Sequence, residues 1–152
     1  MCHLLLSRPP ALWSGAPHDL DFRDLPDDPR EHAGYQGMVK LYESFVGDGG
    51  IKRAKATKLL HLKRPNLVPI MDKVVFEHYR RSASDTAHGF QEHQPQYWAT
   101  IWREARANEQ ALLALVEPLK AEGAAHERVA RLPLLRLHDI LVWSHLGRPE
   151  RS

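Results

Sequence analysis

Prolines and glycines cut this chain, and between the cuts apolar residues recur every three or four positions. In GYQGMVKLYESFVGDGG, Met38, Leu41, Tyr42 and Phe45 stand at i, i+3, i+4 and i+7, the spacing of one helical face. Gly47, Gly49 and Gly50 predict the end of that helix, because glycine takes a left-handed backbone without a Cβ penalty. IKRAKATKLLHLKR has no internal glycine or proline, and Ala56, Leu59, Leu60 and Lys63 share a face, with the lysine stem covering apolar surface. Pro65 predicts its stop, since proline disfavours a helical residue before it. NLVPI reads as extended. Asp72 then precedes KVVFEHYRR, where Val75, Phe76 and Tyr79 mark a third helix ending near Ser82. Beyond a polar loop, SASDTAHGFQEHQ, Pro95 suits a first helical turn, and Trp98, Ile101, Trp102 and Ala105 follow at helical spacing. Leu112, Leu113 and Val116 continue after a break near Asn108, and Pro118 and Gly123 close the segment. In LPLLRLHDILVWSHLG, between Pro133 and Gly147, Leu134, Leu137, His138 and Leu141 form one stripe with Ile140 and Trp143 beside it. LVPI is the only β-like piece, and four residues do not make a sheet. The pattern predicts an all-α bundle of five or six helices.

Residues 1–33 break this rhythm. Pro9, Pro10, Pro17, Pro26 and Pro29 fall there, with the acidic, aperiodic stretch DLDFRDLPDDPRE. The expectation is an irregular segment over 1–33, with Leu20, Phe22 and Leu25 as candidate anchors, one helical domain over 34–147, and a tail over 148–152. A length of 152 residues suits a single domain. No apolar run approaches the ~18 residues of a membrane span, and MCHLLLSRPP lacks a small-residue cleavage site. Cys2 is the only cysteine, so there is neither an internal disulfide nor a cysteine metal site. These features point to the cytoplasm.

Net charge is only +2, but it is unevenly spread. No acid lies between Asp48 and Asp72, and Lys52, Arg53, Lys55, Lys58, Lys63 and Arg64 fill that interval together with His61. Such a patch is the footprint expected of phosphate contact, so DNA or another polyanion is the expected partner. A solvated helical face explains the same charges without a ligand. Asp72 also has two readings. As an N-cap it stabilises a helix by about 1 kcal/mol. Beside a basic helix, an oriented carboxylate could activate water or stabilise a developing cation, with Lys55 or Lys58 as a candidate amine nucleophile.

The order of glycine-rich turn, helix with an early lysine, proline-containing extension and helix-opening aspartate resembles the helix-hairpin-helix DNA glycosylase superfamily. KATKLLHLKRPNLVPIMDKVV is also similar to a segment of bacterial proteins carrying an A-S/T-K-L-L…K-R-P…P-x-x-D-x-x-V pattern, and LLRLHDILVW resembles a leucine/aspartate/tryptophan helix in that group. The likeness covers about residues 35–80 and, more weakly, the last helix. It implies a glycosylase-like helical fold, DNA binding, Asp72 as the catalytic aspartate and Lys55 nearest the nucleophilic lysine. The hairpin glycines are degenerate: Ile51, Lys52 and Arg53 stand at the G-x-G positions.

Other chemistry is weakly signalled. His88, Glu92 and His93 lie in a polar loop, without the spacing of a zinc site. His138 falls on an apolar stripe and reads as a core histidine, while Trp98, Trp102 and Trp143 read as core by period and Trp13 lies in the irregular segment. No phosphate-binding loop, dinucleotide fingerprint or serine-histidine-aspartate signal occurs, so no metal or cofactor is expected. Three functions remain: a nucleic-acid-binding, glycosylase-like domain, reduced or inactive as an enzyme; a non-enzymatic helical module whose basic run binds an acidic partner and whose Asp72 only caps; and an enzyme acting on another anionic substrate.

Overall fold

The structure, a computed structural model, describes residues 9–46, 50–83 and 95–146. Among the described residues it is all-α, with no strand. Its helices are α1 (Pro10–Ser14), α2 (Ala33–Phe45), α3 (Arg53–His61), α4 (Lys73–Ala83), α5 (Pro95–Ala107), α6 (Glu109–Val116), α7 (Ala124–Ala130) and α8 (Leu134–Leu146). Two 3-10 turns, Phe22–Asp24 and Pro118–Ala121, also occur among the described residues. Gly47, Gly49, Gly147 and the loop over 84–94 with His88, Glu92 and His93 lie outside the described residues.

The apolar stripe of α2 is buried along its length, as Met38, Leu41, Tyr42 and Phe45 all lie in the core. It meets α5, whose Trp98, Ile101, Trp102 and Ala105 are likewise buried. Two edge-to-face pairs fix the contact, Tyr35 on Trp102 at 5.8 Å and Tyr42 on Trp98 at 5.5 Å. Such pairs contribute about 0.5–1.5 kcal/mol beyond their buried area. The α5–α6 break falls at Asn108, where the Asn108 side-chain amide donates to the Glu104 carbonyl at 2.9 Å.

The N-terminal stretch is more regular than its composition predicts. It carries α1 and the first 3-10 turn, and it adds Ala16, Phe22 and Leu25 to the main core. Arg64 is one reason. Its guanidinium donates to the carbonyls of Ala16 at 2.6 Å and Trp13 at 3.3 Å, and lies 5.4 Å from the Trp13 ring centre. Gly37 is another: a Cβ there would stand 1.7 Å from the Gly15 carbonyl oxygen, so α1 packs on α2 backbone to backbone.

Two elements depart from the pattern-based expectation. AAHERVA forms α7, where only the end of a helix was expected; seven residues with one large apolar side chain, Val129, carry too little period to be seen. On α8 the phase is different from the expected stripe. Leu135, Leu137, His138 and Asp139 are buried, whereas Leu141 and Trp143 are 42% and 53% exposed. Apolar residues surround most of that helix, so spacing alone does not choose its inner face.

The segment 65–72 runs through the middle with no strand partner, and one backbone N–H and several side chains from around it satisfy its backbone. Phe22 N–H donates to the Asn66 carbonyl at 2.9 Å. Trp102 Nε1 donates to the Leu67 carbonyl at 3.1 Å, and His61 Nδ1 lies 2.7 Å from that of Val68. Met71 N–H donates to Thr57 Oγ1 at 3.1 Å, and Ile70 N–H to Asp139 Oδ2 at 3.0 Å. Buried backbone groups need partners, and here α3, α5 and α8 supply them.

Candidate functional site

Segment 65–72 delivers Asp72 to the start of α4. Asp72 Oδ1 accepts from the N–H groups of Val74 and Val75, both at 3.0 Å. This is N-capping geometry: one side-chain oxygen satisfies two amides that have no partner within the helix. The carboxylate is half-buried, with its second oxygen outside the cap.

A second carboxyl faces the same space. Asp139, 3% exposed, comes from α8 and accepts from Ile70 N–H, two residues before Asp72. Burial pushes its pKa up from 3.8 to about 7. The Ile70 N–H and the Arg136 guanidinium oppose that rise, and the Asp72 charge adds to it. Arg136 Nη1 stands 4.0 Å from Asp139 Oδ2. Together these groups line a cleft of about 430 Å³, closed by Lys58 from α3, Val75 from α4, and Ile140 and Trp143 from α8. Two carboxyls, two cations and an exposed indole therefore share one opening.

The basic run is divided by the fold. Lys52, Arg53, Lys55, Lys58 and Lys63 are exposed. Arg64 is not: it is buried and bonded to the Ala16, Trp13 and Lys63 carbonyls. His61 is buried as well, and desolvation lowers its pKa against the Val68 hydrogen bond. Neither belongs to the cationic surface. Lys63 lies past the end of α3 rather than on its apolar face, because Lys63 and Arg64 N–H both turn back to the Leu60 carbonyl. Lys55 is absent from the cleft lining; Lys58, one turn further along α3, is the lysine that shares the opening with Asp72. Of the hairpin glycines, Gly50 has φ +77°, a left-handed turn leading into α3.

A second polar cluster lies on the other flank of α8. Tyr79 Oη donates to Glu104 Oε2 at 2.5 Å, and His138 Nε2 stands 3.7 Å from the same oxygen. No group of three or more His, Cys, Asp or Glu among the described residues could hold a metal ion.

The sequence profile of a family of unknown function (DUF6308) matches residues 7–146. The chain belongs to that family. No curated protein and no solved structure matches it significantly. The family match begins inside the proline-rich stretch and ends with α8, so it takes in every residue of the cleft.

Arg136, Asp139, Ile140 and Trp143 are the cleft residues that sequence reasoning passed over. A signal was present: they stand at i, i+3, i+4 and i+7 and so share one face of α8. That stripe is mixed in polarity, and the neighbouring leucines masked it. Trp143, expected in the core, instead forms an exposed wall. Among the described residues no helix is long and apolar enough to cross a membrane.

Proposed function

We propose that this domain binds nucleic acid through the exposed cations of α3 and its flanks, and that a strand so held presents one nucleotide to the Asp72–Asp139 cleft, as the resemblance to helix-hairpin-helix DNA glycosylases suggests. The observation that carries the reading is the position of Lys58, which belongs both to the acid-free basic helix and to the cleft wall. Lys52, Arg53 and Lys55 extend the same charge toward the start of α3, where unpaired backbone N–H groups add to an attraction for phosphate.

The two carboxyls suit glycosidic bond cleavage. Asp139, protonated up to about pH 7, donates its proton to the departing base. Water adds to the sugar carbon that loses the base and gives its proton to Asp72, whose charge also steadies the cationic sugar in passing. Lys58, not Lys55, is the lysine at this cleft, where its charge holds the phosphate beside that sugar.

DNA binding titrated against salt tests the reading. Each lost phosphate contact should lower the log–log slope by about 0.9. Lys58→Ala and Lys55→Ala should each do so, whereas Arg64→Ala should not. Duplexes carrying single damaged bases should lose the base with the wild type and not with Asp72→Asn. Absence of DNA binding at low salt would sink the proposal.

The paired cap bonds to Asp72 favour a second reading, in which the domain is a non-enzymatic module and its basic helix meets an acidic partner. Under it the wild type leaves every lesion intact, and Asp72→Ala costs only the cap, about 1 kcal/mol.

A further inference from the structure

A cavity of about 500 Å³ opens on the flank of α8 opposite the cleft, between α4, α5, α6 and α8. It lies within the size range of small-molecule sites, and much of its wall is apolar. Leu115 and Leu141 stand at it with 59% and 42% of their surface exposed, apolar area that the chain itself leaves uncovered.

Its polar end is unusual. Among the described residues, Glu104 is the only carboxylate in the wall, and no lysine or arginine lines it. Tyr79 Oη and His138 Nε2 both approach Glu104 Oε2, and no donor among the described residues is assigned to Oε1. His138 is 5% exposed, its Nδ1 has no hydrogen-bond partner, and its Nε2 is too far from Glu104 for a hydrogen bond at 3.7 Å. Desolvation lowers the His138 pKa and favours the neutral imidazole, and in the tautomer that carries its proton on Nδ1 the Nε2 atom beside Glu104 is an acceptor. Two acceptors 3.7 Å apart can both be reached by one donor nitrogen at about 2.9 Å from each.

We propose that this cavity is a binding site for a small organic amine, with the ammonium between Glu104 and His138 and its apolar body against Leu112, Leu115 and Leu141. An ammonium brings a positive charge to Glu104, which has no lysine or arginine beside it in the wall among the described residues, and its several N–H groups serve both acceptors. A carboxylate in the same place would meet Glu104 as a like charge. The site stands apart from the Asp72 cleft and does not depend on nucleic-acid binding.

The test uses three ring compounds of similar size on the 152-residue protein: benzylamine, benzyl alcohol and phenylacetate, followed by calorimetry and by the histidine ring proton signals. Benzylamine should bind, move the His138 signal, and be favoured over the alcohol by about tenfold or more; phenylacetate should not bind. Glu104→Gln, whose amide oxygen can still accept from Tyr79, should remove the preference for the amine. Leu141→Trp changes a partly exposed residue and should fill the cavity, blocking all three compounds. Equal affinity for amine and alcohol overturns the proposal, as does benzylamine binding unaffected by Leu141→Trp. So does a folded wild type that ignores benzylamine at millimolar concentration.

Discussion

Asp139 holds a proton under conditions where most carboxyls have lost theirs. In the unfolded chain it should titrate near its ordinary value of 3.8, and in the folded chain burial moves this to about 7. Between those values the folded state binds more protons than the unfolded one. The Asp139 contribution to stability therefore falls as pH rises from about 4 to about 7, then levels off; below about 4 both states are protonated and the contribution is constant. Asp139→Asn should abolish this slope. Its amide oxygen can still accept from Ile70, so the variant should gain on the order of a few kcal/mol over the wild type above pH 7. Urea unfolding of wild type and Asp139→Asn from pH 5 to pH 8 reads this as a difference, because the lowered pKa values of buried His61 and His138 push stability the other way in the same window; a difference that does not grow between pH 5 and pH 7 contradicts it. Asp72→Asn removes the like charge that helps hold the proton, so Asp139 should titrate lower in that variant. None of this was legible in LLRLHDILVW. The inward turn of Asp139 is dictated by Ile70 N–H, which lies 69 residues away in the sequence. Arg64 is a similar case, since the carbonyls of Trp13 and Ala16 take it out of an apparently continuous basic run. Asp72 was legible, because a cap acts on its own next turn.

Elements whose inner face is sharply separated from a polar outer face were readable, and α2 and α5 are the clearest examples. Met38, Leu41, Tyr42 and Phe45 set the phase of α2, whereas α8 offers apolar residues in nearly every direction and its phase comes from packing on α4, α5 and α6. The join of α1 to α2 was hidden for another reason: it rests on Gly15 and Gly37, which have no side chain to form a pattern. Gly37→Ala tests that join. Alanine favours the helix by about 1 kcal/mol over glycine, but its Cβ would meet the Gly15 backbone at 1.7 Å, where no flexible side chain can give way. Overpacking commonly costs about 1–3 kcal/mol, so the clash should outweigh the propensity gain and lift α1 away. Trypsin should then cut after Arg23 or Arg30 sooner than in the wild type. Equal cleavage rates with an unchanged unfolding midpoint would show that α1 does not rest on this contact.

The whole molecule is organised around its least regular part. Segment 65–72 has neither helix nor sheet to satisfy its backbone, and the 3-10 turn at Phe22, α3, α5 and α8 each reach it through a hydrogen bond. Each of those elements is thereby positioned relative to Asp72 through one short piece of chain. This coupling makes a specific demand on stability. Thr57, fully buried, donates to the Ala54 carbonyl at 3.1 Å and accepts from Met71 N–H at 3.1 Å. Thr57→Val keeps the shape but leaves a buried amide without a partner, which costs about 1–3 kcal/mol. If the segment ties the elements into one cooperative unit, the loss appears everywhere at once. The urea midpoint should drop with the slope unchanged, and tryptophan fluorescence and helical circular dichroism should fall together. In the wild type, the Ile70 and Met71 amides should exchange with solvent only through global unfolding. Separate transitions for the two probes, or fast exchange at Met71 in the otherwise folded wild type, would mean that the segment opens on its own and that the cleft it carries is a local structure rather than a property of the whole fold.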